Sequence, residues 1–143
     1  MAVNLLKTAA GLKEIPELID RQAPFKFTYG GKKATWAYTR YAPKRAEEIL
    51  QSGGSIYWIL KNRIQVRQKI LGFEIVEESD DTWCKIIVEP QLWRTLSVQK
   101  RAIQGWRYFE GKPVPKDRGL YLSGQDDEPP AEMAEELRKA GLL

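Results

Sequence analysis

Histidine is absent from the 143 residues, and cysteine occurs once, as Cys84. The first absence excludes Ser-His triads, Cys-His dyads and His-ligated metal sites. The second excludes an internal disulfide. Cys84 sits in the strand-like run TWCKIIVE, where a lone thiol with no metal-ligand partner reads as a small buried hydrophobe. A glycine-rich phosphate loop is also missing, because Gly30-Gly31 and Gly53-Gly54 fit neither the Walker A nor the dinucleotide pattern. No apolar run approaches the ~20 residues of a membrane span. The opening MAVNLLKTAAGLKEIPELID lacks the long apolar stretch of a secretory signal. The expectation is a cytosolic protein without a metal or cofactor.

What is present is basic charge, unevenly placed. Residues 21–118 hold nineteen Lys/Arg against ten Asp/Glu, whereas residues 119–143 hold two against six. A basic body with an acidic end points to an anionic partner, RNA or a nucleotide-like ligand, with the acidic end as a competitor for the same surface.

The pattern of apolar residues predicts one α+β domain over residues 1–123 and an acidic helical tail over 124–143. Val3 to Lys7 reads as a strand, and Pro16 suits the first turn of a helix ending near Arg21. FKFTY and ATWAYTRY flank Gly30-Gly31 as a hairpin, with Phe25, Phe27, Trp36 and Tyr38 expected in the core. PKRAEEILQSGG is a short helix, its apolar stripe Ala46, Ile49 and Leu50, ended by a left-handed cap at Gly53. TWCKIIVEP is another strand, QGWRYF a strand or loop, and residues 110–129 an extended surface segment.

The segment GGSIYWILKNRIQVRQKILGFEIV, residues 53–76, is a second hairpin turning at Lys61-Asn62. With Trp58 opposite Gln65 and Ile56 opposite Arg67, one face gathers Tyr57, Ile59, Ile64 and Val66. The other gathers Ile56, Trp58, Leu60, Arg63, Gln65 and Arg67. Apolar parity then changes at Leu71, Phe73 and Ile75, which predicts a bulge near Gln68 to Ile70. Bulged strands bend, so the sheet is expected to curl, as a small mixed sheet or partly open barrel with two or three short helices.

Three readings compete for the arginine row. Arg67 packs over Trp58 and pairs with a carboxylate such as Glu47 or Glu89; or the face holds a phosphate and a stacked base; or it meets another protein chain. Gln104, Trp106 and Arg107 interleave an amide, an aromatic and a cation, and Arg40, Lys44 and Arg45 flank the helix. Convergence of these with Trp58, Arg63 and Arg67 would make a basic groove with aromatic platforms. An enzyme acting on a modified nucleoside is the alternative. It would need Glu47, Glu48 or Glu89 beside Lys61 or Tyr57 for acid–base work.

Arg40, Pro43, Arg45, Glu48, Gly53-Gly54-Ser55, Tyr57-Trp58, Arg67-Gln68 and Ile70-Leu71-Gly72, with QGWRYF at 104–109, resemble the bacterial domain-of-unknown-function family 1489. That resemblance implies no activity. RAEEILQSGG followed by ILGFEIV is similar in order to the RNA-associated PUA and ASCH barrels. The Gly-x-Lys-x-x-Glu-x-Arg motif of ASCH amidohydrolases is absent, so that resemblance implies RNA or nucleotide binding and no hydrolysis.

Overall fold

A computed structural model describes residues 1–122, so the tail expected over 124–143 lies outside the described residues. Nine strands and two helices follow in the order β1 (Asn4–Thr8), α1 (Ile15–Gln22), a 3-10 turn (Ala23–Phe25), β2 (Phe27–Tyr29), β3 (Lys32–Thr39), α2 (Ala46–Gln51), β4 (Ser55–Leu60), β5 (Arg63–Glu78), β6 (Asp81–Val88), β7 (Trp93–Gln99), β8 (Trp106–Phe109) and β9 (Asp117–Leu120). They form one open, mixed sheet of order β2-β3-β6-β5-β4-β1-β8, with β7 on β5 and β9 on β7. The β1–β4 pair is parallel. The described residues are therefore mostly β, and their sheet does not close on itself.

A local turn and a doubly covered strand shape the sheet. The β4–β5 turn uses left-handed backbone at Lys61 and Asn62 (φ 50° and 61°), the conformation a tight hairpin needs. All six residues of β4 are buried, so this strand is covered on both faces. Ile56, Trp58 and Leu60 join Val3, Leu5, Leu18, Ile49, Val66, Ile70, Ile86 and Val88 on one side. Tyr57 and Ile59 join Leu6, Ile64 and Phe109 on the other.

The sixteen-residue β5 bends by slipping register twice. One slip, against β6, falls between Ile70 and Gly72, at the far end of the expected bulge. The other was not legible. Ile59 pairs Ile64, but Trp58 pairs Val66 and Tyr57 pairs Arg67, so Gln65 is the extra residue. Cross-strand partners project to the same side. Arg63 therefore lies on the Leu60 side and Arg67 on the Tyr57 side. The expected single row of Arg63, Gln65 and Arg67 is broken, because a one-residue slip exchanges the faces of everything beyond it.

The first hairpin also departs from expectation. Phe25, Phe27 and Tyr38 are exposed, with Tyr38 at 51%, and Trp36 is half-buried. The buried positions of β3 are Ala34, Thr35 and Thr39. Thr35 Oγ1 donates to the Gln22 carbonyl at 2.8 Å, which holds α1 so close that small residues take the inner sites. In α2, Ile49 is buried but Leu50 remains 39% exposed, so the buried stripe is narrower than Ala46, Ile49 and Leu50. Cys84 is fully buried, and burial pushes its thiol pKa up.

Behind α2, Gly53 (φ 74°) caps the helix and Gly54 brings the chain against β1. A Cβ on Gly54 would collide with the Val3 carbonyl oxygen and crowd Ile49. Gly54→Ala is therefore expected to destabilise the domain by about 1–3 kcal/mol or more, as overpacking against backbone does. Urea unfolding would measure it as a lower midpoint at unchanged slope.

Candidate functional site

The arginines and aromatics singled out from sequence fall into separate places. Arg67 lies on the Tyr57 side, where Nε and Nη2 donate to the two oxygens of Asp117 at 2.8 and 2.6 Å. Its Nη1 donates to Ser55 Oγ at 2.9 Å, and the guanidinium lies 5.1 Å from the centre of the Trp93 ring. The arginine thus stacks on Trp93 rather than Trp58, and its carboxylate is Asp117 rather than Glu47 or Glu89. Trp58 is buried on the opposite face of the hairpin. Ser55, Arg67 and Asp117 border a cleft of about 430 Å³ that also includes Asn4, Tyr57 and Lys116. Burial raises the Tyr57 hydroxyl pKa, and the nearby Arg67 opposes that shift.

Arg45 is committed elsewhere. Its guanidinium binds Glu48 and, at 2.9 Å, Glu110, and sits 5.1 Å from the centre of the Tyr108 ring. Its backbone N–H donates to the Tyr108 hydroxyl at 3.1 Å. These hydrogen bonds raise the Arg45 pKa and lower that of Glu48. The effect is a clamp between α2 and the end of β8. Arg40 pairs with Asp81 at 3.2 Å, and Arg63 is buried with Nε donating to Ser97 Oγ at 2.7 Å. Lys44, Gln104 and Arg107 are exposed. Trp106 donates its indole N–H to the Tyr41 carbonyl at 2.8 Å, and it projects to the opposite side of β8 from Arg107.

A second cavity, again about 430 Å³, is of different character. It is lined by Phe25, Trp36, Tyr38, Trp58 and Trp83 together with Leu18, and its polar groups include Lys7, Thr8, Arg21 and Gln22. It lies along β3 where β2 no longer pairs, since that ladder ends at Ala34. Trp83 brings the aromatics together, with its ring centre 5.5 Å from that of Trp36 and 5.4 Å from that of Tyr38. Phe25 packs on Trp36 at 4.3 Å. Lys85 approaches the outer side of this wall, 4.8 Å from the Trp36 ring centre.

A buried amide network holds part of the lining in place. Gln68 and Gln22 exchange hydrogen bonds of 2.9 and 2.7 Å through their side-chain amides. Gln68 Oε1 also accepts from the Trp58 indole at 2.9 Å, and its Nε2 donates to the Glu89 carbonyl at 3.1 Å. Lys7 has Trp58 as its register partner on β4 and Trp106 on β8. It is half-buried, no carboxylate of the described residues lines the cavity, and burial lowers its pKa from the ordinary lysine value.

A family description, "Protein of unknown function (DUF1489)", matches residues 5–143. The chain belongs to that family. No curated protein and no solved structure matches it. In this DUF1489 chain no helix of the described residues is long and apolar enough to cross a membrane, and no His/Cys/Asp/Glu group among them could hold a metal ion.

Sequence reasoning singled out Trp58 but missed Lys7, Trp36 and Trp83 as members of one site. The available signal was small residues, Thr35, Ala37 and Thr39, alternating with the large aromatics Trp36 and Tyr38 along β3. That pattern marks a strand crowded on one face and wide on the other.

Two outcomes follow from this geometry. Gln68→Ala strands the Trp58 N–H, the Gln22 amide and the Glu89 carbonyl, and should destabilise by roughly 3–5 kcal/mol, since each buried unpaired group costs ~1–3. Lys7→Met should raise the melting temperature at pH 7 by about 1–4 °C on the scale of a domain this size. The sign follows from linkage. At neutral pH Lys7 is charged in both states and only the folded state carries the desolvation cost. That cost is lifted as pH rises through the lowered folded value towards the ordinary ~10.4, so the gap between wild type and variant should narrow across that alkaline window. Thermal melts at pH 7 and pH 10 check both.

Proposed function

We propose that this chain is a binding module for a planar ligand of the nucleobase class, taken into the aromatic cavity beside β3. The observation that carries this reading is the lining itself, which among the described residues has five aromatics and two cations and no carboxylate. The volume of about 430 Å³ falls within the range of small-molecule sites, roughly 300–1,000 Å³. Ring faces accept any base by stacking, worth about 1–3 kcal/mol per base. Arg21, exposed at the cavity and donating Nη2 to the Ala10 carbonyl at 2.6 Å, keeps further N–H groups for a phosphate.

The basic body supports the same class of partner, because phosphate groups are drawn to net positive surfaces. The base could come from a free nucleotide or from an unpaired position of an RNA strand. We also read the curled open sheet as a relative of the PUA and ASCH barrels, an affinity in keeping with RNA. Acid–base catalysis is the weaker reading. Glu47, Glu48 and Glu89 do not line the cavity, and Glu48 is held by Arg45.

Titration of tryptophan fluorescence with nucleoside monophosphates and with a short single-stranded oligoribonucleotide tests the proposal. Quenching is expected, and Trp36→Ala should weaken binding about 5- to 150-fold, the equivalent of one lost stack. A steep salt dependence for the oligonucleotide alone would assign the base to RNA, since counterion release grows with the number of phosphates neutralised. Affinities equal in wild type and Trp36→Ala would overturn the aromatic cavity as the site.

A further inference from the structure

Lys7 differs from several cations placed near acids in this chain. Arg40 pairs with Asp81, Arg45 with Glu48 and Glu110, and Arg67 with Asp117. The Lys7 side chain has no ion pair or hydrogen bond among the described residues, and none of their carboxylates lines the cavity it borders. Its position is not the free surface, where a solitary lysine is hydrated and inert. It is half-buried on the sheet face that carries Trp58 and Trp106, its partners on the two neighbouring strands.

The carbon stem of a lysine packs well between rings, but its ammonium loses part of its water there. A desolvated charge costs free energy until an opposite charge meets it. Arg21, the other cation of the lining, adds positive potential rather than relieving it. The described side chains around this ammonium thus leave a counter-charge unsupplied.

We infer that Lys7 is the specificity-determining residue of the aromatic cavity and selects ligands that join a planar aromatic body to an anionic group, such as a carboxylate, sulfonate or phosphate. The inference rests on the cavity reading above and adds the charge class of the ligand to it. An aromatic ligand without charge would still stack on the ring wall. An aromatic anion would stack and, in addition, replace the water that Lys7 has lost. The cavity should therefore rank ligands of equal ring size by charge.

Two fluorescent probes with the same ring skeleton separate these contributions: 1-anilinonaphthalene-8-sulfonate, an anion, and N-phenyl-1-naphthylamine, which is neutral. Both would be titrated into the full chain and into Lys7→Gln, Lys7→Arg and Trp36→Ala, each first shown to be folded by its unfolding midpoint. Wild type should bind the sulfonate about tenfold or more tightly than the neutral probe, as one charge-assisted contact allows. Lys7→Gln should abolish that preference and leave the neutral probe within about twofold, while Lys7→Arg should keep most of it. Trp36→Ala should weaken both probes. If Lys7→Gln leaves sulfonate binding unchanged while Trp36→Ala weakens both, the role given to Lys7 is wrong and the cavity stands. If Trp36→Ala alters neither probe, the cavity reading itself falls.

Discussion

Gln68 has four side-chain hydrogen-bonding positions, and all four are used. Two are exchanged with Gln22, one receives the Trp58 indole and one reaches the Glu89 carbonyl. The residue is fully buried, so these bonds form without competition from water, where each is electrostatically stronger and its loss more costly. They join four elements of the fold: α1 through Gln22, β4 through Trp58, β5 through Gln68 itself, and the segment after β6 through Glu89. A leucine-like core could join the same elements by packing. It would not fix the rotation of α1 or the tilt of the Trp58 ring, which directional bonds do. The aromatic cavity inherits its shape from this network, since Gln22 and Trp58 both line it.

The network also accounts for the bend in β5. Gln68 projects to the Trp58 side because the extra residue at Gln65 puts Val66, Gln68 and Ile70 on that face. Without the slip, Gln68 would face the other cluster, away from Gln22. The same slip sends Arg67 to the Tyr57 side, where Asp117 and Trp93 receive it. One inserted residue thus builds an amide network on one face and an ion pair on the other.

Much of the fold was legible because it rests on local signals. Pro16 near the start of α1, Gly53 at the end of α2, the left-handed pair Lys61-Asn62 and the strand-like run TWCKIIVE all act over a few residues. β7 and β9 were not legible. WRTLSVQ carries too few apolar residues to announce a strand, and DRGL sits in a stretch of Gly, Pro and charge. Each becomes a strand because a partner edge is available, β5 for the first and β7 for the second. The candidate site was hidden for a related reason. Lys7, Trp36 and Trp83 are far apart in sequence, and no periodicity in any one segment reports that the sheet brings them together. The arginine row misled because perfect alternation was assumed through Gln65.

Charge placement on the two sides of the β4–β5 hairpin carries the last step. A cation beside an aromatic ring can serve the fold or a ligand, and its partner decides between them. Arg67 stacks on Trp93 and has a carboxylate bound through two parallel hydrogen bonds, so a ligand anion would have to displace Asp117 and leave it beside its own replacement. Lys7 lies beside Trp58 with no acid to displace among the described residues. An entering anion there gains the whole of the attraction and relieves a cost the folded chain already carries. The arginine most conspicuous in sequence therefore ties the sheet together, and the lysine that drew no notice is the cation that stands ready for a ligand.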